Sequence, residues 1–211
     1  MARGLLIVGA SGLAREVLAA GITGVVGILD DNVGLHETEI AGIPVLGAVV
    51  DAVSRAESLL VCVGPSQSRR NIVRRFRKFG VAEERYATFV ARSARIGRSS
   101  DIGHGSILLD NVVVTADAAL GRHVVAMPNC TITHDDVLED YVTLAAGVAL
   151  GGSVRVGEAA YVGMNASVRQ GLTIGSESTV GMGAVVLKDV PAEATWAGVP
   201  AKDIRADEGR R

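Results

Sequence analysis

Residues 129–137 read NCTITHDDV and place His134 directly before Asp135 and Asp136, inside a region otherwise made of aliphatic and small residues. Imidazole titrates at about 6.5 when unperturbed, so it can take a proton at neutral pH. A neighbouring carboxylate such as Asp135 can hold one ring nitrogen and leave the other as a base. Asp136 falls at a position whose counterparts elsewhere in the region are small and inward-facing, and local rule-breaking of this kind is where function is expected. On pattern alone, a solvated turn histidine and a catalytic base both stay open.

A second group of residues could bind a ligand. GASG at residues 9–12 follows an apolar run, and a glycine turn between strand and helix lets backbone N–H groups approach a phosphate. Asp30 and Asp31 end the next apolar run, where a ribose or sugar hydroxyl would lie, and Gly64 ends a third. The alternative is an ordinary α/β turn that needs glycine only for its backbone angles.

Other residues predict no chemistry. Arg69, Arg70, Arg74, Arg75, Arg77 and Lys78 form a basic run without interleaved aromatics, which predicts a solvated helix face and no nucleic-acid partner. His36 is expected at the surface of a loop, and His104 and His123 as ordinary turn residues. Their spacing with His134 does not stack three imidazoles, so no metal site is expected. Cys62 and Cys130 lie in apolar runs and are expected to be reduced core thiols.

The elements that must position these groups come in two rhythms. Stepping by six from Val90 to Val186 meets seventeen positions, all Val, Ile or Leu except Ala126, with no insertion. Glycine often follows the aliphatic, as at Gly97, Gly121, Gly151 and Gly163, where it is expected to relieve a turn. A helix cannot produce period six; a short strand and a turn, repeated, can. Stacked coils of this kind bury one continuous apolar column. Three hexads to a triangular coil predict a left-handed parallel β-helix of between five and six coils.

Before Val90 the rhythm is strand–helix–strand. Apolar runs at residues 4–9, 24–29 and 57–64 alternate with an amphipathic helix at 13–22 and a second helix at 66–80, stopped by Gly80. This predicts a small Rossmann-like parallel sheet with its ligand at the carboxyl ends of the strands. The expected division is an α/β domain over 1–85, a β-helix over 86–196, and a C-terminal segment over 197–211 carrying GVPAK. The chain has 211 residues and a net charge of −2, which pulls toward neither nucleic acid nor membrane. The first residues, MARGLLIVGASG, are too short an apolar run for a signal segment or a membrane span, so a cytoplasmic location is expected.

Taken together, VGASGLAREV, VVGILDDN, IAGIPVLG, CVG, the segments THDDV, EDYV and LAAGVALGGSVRVG, and WAGVPAKDIR resemble the hexapeptide-repeat sugar acetyltransferases of the sialic-acid O-acetyltransferase and bacillosamine N-acetyltransferase type. The resemblance implies an acetyl-CoA-dependent enzyme acting on a sugar, often a nucleotide-linked 4-amino sugar. It puts the general base on His134, the carboxylate that raises its basicity on Asp135, and an oxyanion-stabilising amide on Gly152. Contacts to the nucleotide sugar fall on Ser11, Gly12, Leu13, Asp30, Asp31 and Gly64. Contacts to acetyl-CoA fall on Thr143, Met164 and Met182, with Lys202 of GVPAK near the far end of the cofactor. No metal is implied, and a homotrimer is, with the cofactor between adjacent β-helices. The chain departs from the family pattern at Leu13 and Thr143, where histidines are usual, and at residues 126–129, AMPN. Two rivals follow: O-acetylation of a sugar hydroxyl, and a silent nucleotide-sugar-binding protein.

Overall fold

The structure is a computed structural model that describes residues 4–204. Its first part is a five-stranded sheet in the order β3-β4-β2-β1-β5, with strands β1 (Leu5–Val8), β2 (Val25–Leu29), β3 (Glu39–Ile40), β4 (Ile43–Gly47) and β5 (Ser58–Val61). Strands β1, β2, β4 and β5 run parallel, and β3 pairs antiparallel with β4. The β3–β4 hairpin was not expected from apolar periodicity. It turns on Ala41 and Gly42, both at positive φ, the geometry a two-residue hairpin loop needs. Helix α1 (Gly12–Ala19) follows β1, capped by the Ser11 side chain, and buries Leu13, Ala14 and Val17. Helix α2 (Ser66–Lys78) follows β5 and ends before Gly80, whose φ is +79°.

From Phe89 to Val186 the chain forms seventeen two-residue strands, each ending on one of the seventeen positions of the six-residue ladder. Pairing is parallel and steps by one coil, as in Val113 with Thr131 and Leu120 with Leu138. The strands build three sheets, the faces of a left-handed parallel β-helix. Face one carries Ile107–Leu108, Val125–Ala126, Thr143–Leu144, Tyr161–Val162 and Thr179–Val180. Face two carries Thr131–Ile132 and Ala149–Leu150, and face three Val137–Leu138 and Arg155–Val156. Face one is continued by Thr195–Ala197 and closed by the antiparallel strand Lys202–Asp203. Leu120, Ile132, Leu144, Val156, Val168 and their neighbours make one buried column.

The glycines after the ladder residues do not serve the turns as expected. From Ile102 to Val180 the left-handed turn position falls three residues after each ladder residue and is mostly not glycine: Asn111, Asp117, His123, Asn129, Asp135 and Tyr141 all have φ between 55° and 64°. The glycines instead permit coil-on-coil contact. A Cβ on Gly97 would lie 1.4 Å from the Thr115 carbonyl oxygen, and one on Gly163 would lie 2.6 Å from the Met182 nitrogen. Either would push adjacent coils off their hydrogen-bonding distance.

The α/β part packs on face one and on the corner between faces three and one. Tyr141 and Ala159 from that corner share a core with Leu6, Val8 and Phe76, and Ile107, Leu109 and Val125 share one with Leu5, Leu13 and Ile28.

Candidate active site

His134 stands at the corner between faces two and three. Three local features hold it there. Asp135 takes the left-handed turn conformation, at φ +62°. The buried Asp136 carboxylate accepts the Thr133 N–H at 2.7 Å and, from the next coil, the Val154 N–H at 2.8 Å. Ser153 N donates to the His134 carbonyl at 2.9 Å. The irregular Asp136 therefore has a structural job. It does on this corner what Ser106 does below Val124, accepting an N–H eighteen residues on. Burial lifts its pKa from the ordinary carboxylate range to about 6.

The His134 ring is exposed, and its Nδ1 lies 2.7 Å from Asp135 Oδ2. A carboxylate can only accept, so Nδ1 carries the proton and Nε2 presents its lone pair. The hydrogen bond to Asp135, with the charges of Asp135, Asp136 and Asp117, raises the imidazole pKa. The ring lies on Gly152, one coil above: a Cβ there would come within 2.4 Å of Nε2 and Cε1. The structure thus brings together His134, Asp135 and Gly152.

The carboxyl edge of the α/β sheet brings together a second group. Gly9, at φ +98°, has Val63 and the Cys62 carbonyl where a side chain would go. Ser11 Oγ accepts the Leu13 N–H at 3.2 Å and donates to the Cys62 carbonyl at 2.8 Å. Asp30 accepts from Ala10 N at 2.7 Å and Asn32 N at 2.8 Å, and Asp31 from Val49 N at 2.9 Å. Ser11, Gly12, Asp30 and Asp31 therefore lie along one edge, with Gly64 at the end of the adjoining β5 segment. Leu13 does not face out with them: its side chain is buried in the core under α1. His36 is not a bare surface residue, since its Nε2 donates to the Asp30 carbonyl at 2.8 Å.

Between this edge and face one opens a cavity of about 690 Å³, lined by Gly64, Ser66, Met127, Thr143, Tyr161 and Glu177 among others. Thr143 was expected to meet acetyl-CoA. Its side chain is instead buried, and its oxygen accepts from Ser66 Oγ at 2.8 Å and Arg69 Nη2 at 2.9 Å while donating to the Gly64 carbonyl at 3.2 Å. A hydroxyl has one donor and two acceptor sites, and these contacts fill all three.

Met164 and Met182 are exposed and stacked at another corner, between faces one and two. Lys202 lines a separate cavity of about 410 Å³ with Lys188, Leu187, Trp196 and Pro200. Within one chain, His134 and the two methionines therefore lie on different corners of the same triangle. Residues 205–211 of the C-terminal segment lie outside the described residues.

Three residues escaped the sequence reading. Arg69 and Arg70 are not solvated; Arg69 is wholly buried. The signal was there, because Arg69, Val73 and Phe76 continue one helical stripe. His123 is a turn residue by backbone and a core residue by side chain. It is wholly buried, with Tyr141 stacked at 5.3 Å and Tyr86 edge-on at 4.6 Å. Burial, then the charge of Arg69, lowers its pKa to about 3. Glu83 Oε1 lies 3.8 Å from His123 Nε2, too far for a hydrogen bond. Both cysteines are free and buried; burial raises the Cys130 thiol to about 11 and the Cys62 thiol higher, so neither is poised as a nucleophile. Among the described residues no cluster of three His, Cys, Asp or Glu could hold a metal, and no helix is long and apolar enough to cross a membrane.

Residues 4–76 match the family model described as the PglD N-terminal domain. The chain superimposes on PerB from Caulobacter crescentus, solved with CoA and GDP-perosamine, with TM-score 0.85 and 30% identity over 95% of this chain and 96% of that one. It superimposes on the acetyltransferase domain of PglB from Neisseria gonorrhoeae, solved with acetyl coenzyme A, with TM-score 0.87 and 32% identity over 97% and 100%. A UDP-3-O-acylglucosamine N-acyltransferase of Methylobacterium nodulans is 30% identical over 51% of this chain and 26% of its own length. A Schizosaccharomyces pombe protein provisionally named an acetyltransferase is 32% identical over 55% and 54%. The chain thus spans about half or less of the length of these curated relatives. The six-residue ladder wound into a parallel β-helix places the chain in the hexapeptide-repeat acyltransferase class. Within that class the chain belongs to the nucleotide-sugar N-acetyltransferase family.

Proposed function

We propose that this protein transfers the acetyl group of acetyl-CoA to the amine of a nucleotide-linked amino sugar. The observation that carries the reading is the His134–Asp135 pair, with Nδ1 held at 2.7 Å and Nε2 turned onto Gly152. An amine at neutral pH is mostly protonated, and the raised basicity of His134 suits it to take a proton as the amine attacks the thioester carbonyl. The Gly152 N–H would stabilise the oxyanion that develops. Collapse breaks the C–S bond, and the proton on His134 passes to the departing thiolate. Direct attack fits two cysteines that are both buried and protonated.

The α/β unit, over residues 1–85, would take the nucleotide sugar along the edge formed by Ser11, Gly12, Asp30, Asp31 and Gly64. The β-helix over 86–196 and the segment after it would take acetyl-CoA. Exposed Met164 and Met182 suit its apolar arm, and Lys202 beside Lys188 suits its phosphates. Since the methionines and His134 occupy different corners of the solenoid, a complete site needs a second copy alongside, and a homotrimer closes that arrangement three times. PerB was solved with CoA and GDP-perosamine, which supports the substrate class.

The test is mass spectrometry of a panel of nucleoside-diphosphate 4-amino sugars, GDP-perosamine among them, incubated with acetyl-CoA, alongside release of free thiol. A product 42 mass units heavier and stable to mild base is the expected amide. A base-labile product would show O-acetylation, and no thiol release with any acceptor would leave a silent binding protein.

A further inference from the structure

We propose that Arg69 is the positioning residue of the cavity beside Gly64, a buried clamp that fixes the Gly64–Ser66 wall against the β-helix; this rests on the proposed placing of the nucleotide sugar along the edge that ends at Gly64. Arg69 is 0% exposed and meets no carboxylate. Its Nη1 donates to the Val63 and Gly64 carbonyls at 2.7 and 2.8 Å, at the end of the β5 segment. Its Nε donates to the His123 carbonyl at 2.9 Å, and its Nη2 to the Tyr141 carbonyl at 2.8 Å and Thr143 Oγ1 at 2.9 Å, in two successive coils. The guanidinium has five N–H groups, and these contacts use every one. One side of the fork holds the α/β unit, and the other holds the solenoid.

The polar ties at the rim of this joint are weaker in kind. Arg70 and Arg74 pair with Glu158 and Glu177, and Gln67 with Glu177, at partly exposed sites where water competes. The buried clamp instead relies on oriented carbonyl dipoles. Burial lowers the Arg69 pKa to about 9, so the cation persists at neutral pH. Thr143 extends the clamp into the cavity wall, because its hydroxyl ties Arg69, Ser66 and Gly64 into one knot. A lysine has three donors on one atom and cannot span carbonyls on both sides.

The experiment uses the full chain with Arg69→Lys and, as a gentler cut that keeps side-chain shape, Thr143→Val. KM for GDP-perosamine, or for whichever nucleotide amino sugar the wild type acetylates, is expected to rise roughly tenfold to a hundredfold in Arg69→Lys. A smaller rise is expected in Thr143→Val, with kcat and KM for acetyl-CoA nearly unchanged in both. Amide hydrogen exchange at residues 63–68 is expected to speed up in both variants while the coils around His134 keep wild-type protection. Exchange at 63–68 left at the wild-type rate in a folded Arg69→Lys chain overturns the clamp. So does an equal rise in KM for both substrates. If Arg69→Lys does not fold, Thr143→Val decides by the same two readouts. If the wild type acetylates no nucleotide amino sugar, the functional reading falls, and the exchange rates still decide whether Arg69 clamps the wall.

Discussion

His134 and His123 belong to the same solenoid and sit at two of its corners, yet their chemistry points in opposite directions. His134 is exposed beside Asp135 and is made more basic by it. His123 is covered by the α/β unit, stacked on Tyr141 with Tyr86 edge-on, and driven to a pKa of about 3 by burial. The coil places them differently: His123 is itself the left-handed turn residue, at φ +55°, a place that Asp135 takes beside His134. The cover differs as well: the corner between faces three and one is where the α/β unit docks, whereas the corner between faces two and three carries none of those docking contacts. In this fold turn position and the neighbours laid on a corner together decide whether its histidine is an anchor or a base.

The largest expected effect tests the base. His134→Ala should lower kcat by roughly 10²–10⁴-fold, the usual contribution of a positioned base. Folding should survive, since the ring is exposed and lies outside the apolar column. Turnover with the true acceptor is the measurement, and a near-wild-type rate would return the His–Asp pair to a solvated turn. Gly152→Ala should follow, at up to roughly 10²-fold in kcat, because a methyl 2.4 Å from the ring must push Nε2 out of place. A crystal structure of that variant with an unmoved imidazole would contradict the explanation.

His123 offers the converse test, in stability. Its pKa is about 3 folded against an ordinary 6.5. As pH falls below 6.5 the unfolded chain takes up a proton that the native ring refuses. Native stability should therefore decline toward pH 3, by about 1.4 kcal/mol per pH unit from this group. Asp136 acts in the opposite sense. Its folded pKa of about 6 lies above the ordinary 3.8, so acid between those values favours the native state. Comparing wild type with His123→Phe by urea denaturation at pH 7 and pH 4.5 isolates the histidine. The variant keeps the ring stack, removes two buried nitrogens that lack partners, and should lose less stability in acid. Equal acid losses in the two proteins would mean His123 is not buried neutral.

The sequence made some of this legible and hid the rest. The solenoid was readable because one side chain in six must fill the column, so every coil leaves the same mark. His134 and Asp135 were readable because they are adjacent. The hairpin at β3–β4 was missed because two residues of strand carry too little periodicity. Arg69 was hidden by its company: four other arginines and a lysine made the helix look solvated, although Val73 and Phe76 mark its stripe as buried. The positions of Thr143 and His123 depend on where the α/β unit docks, a long-range contact that no local spacing encodes. Asp136 broke the hexad rule for a structural reason, as a cap for two amides of the corner that presents His134.

The finest test of the two corners changes one atom. Asp135→Asn keeps the side-chain size and can still accept from Nδ1 through its amide oxygen, but it removes the charge. The hydrogen bond to Asp135 is the main cause of the raised pKa of His134, and the charge of Asp135 adds to it. In the wild type, kcat/KM should fall in acid with an inflection above 6.5, as the free imidazole becomes protonated. In Asp135→Asn that inflection should move down toward the unperturbed value, so the variant keeps a larger fraction of its own maximum in mild acid. Its plateau at high pH should be lower, because the base is weaker and held less firmly in the right tautomer, and the loss should be smaller than that of His134→Ala. The readout is the pH profile of kcat/KM at saturating acetyl-CoA, with the titration of the acceptor amine measured separately and divided out. An inflection that stays in place when Asp135 loses its charge would mean that the imidazole owes its basicity to something other than Asp135, and the contrast with His123 would then need another cause than the neighbour each ring faces.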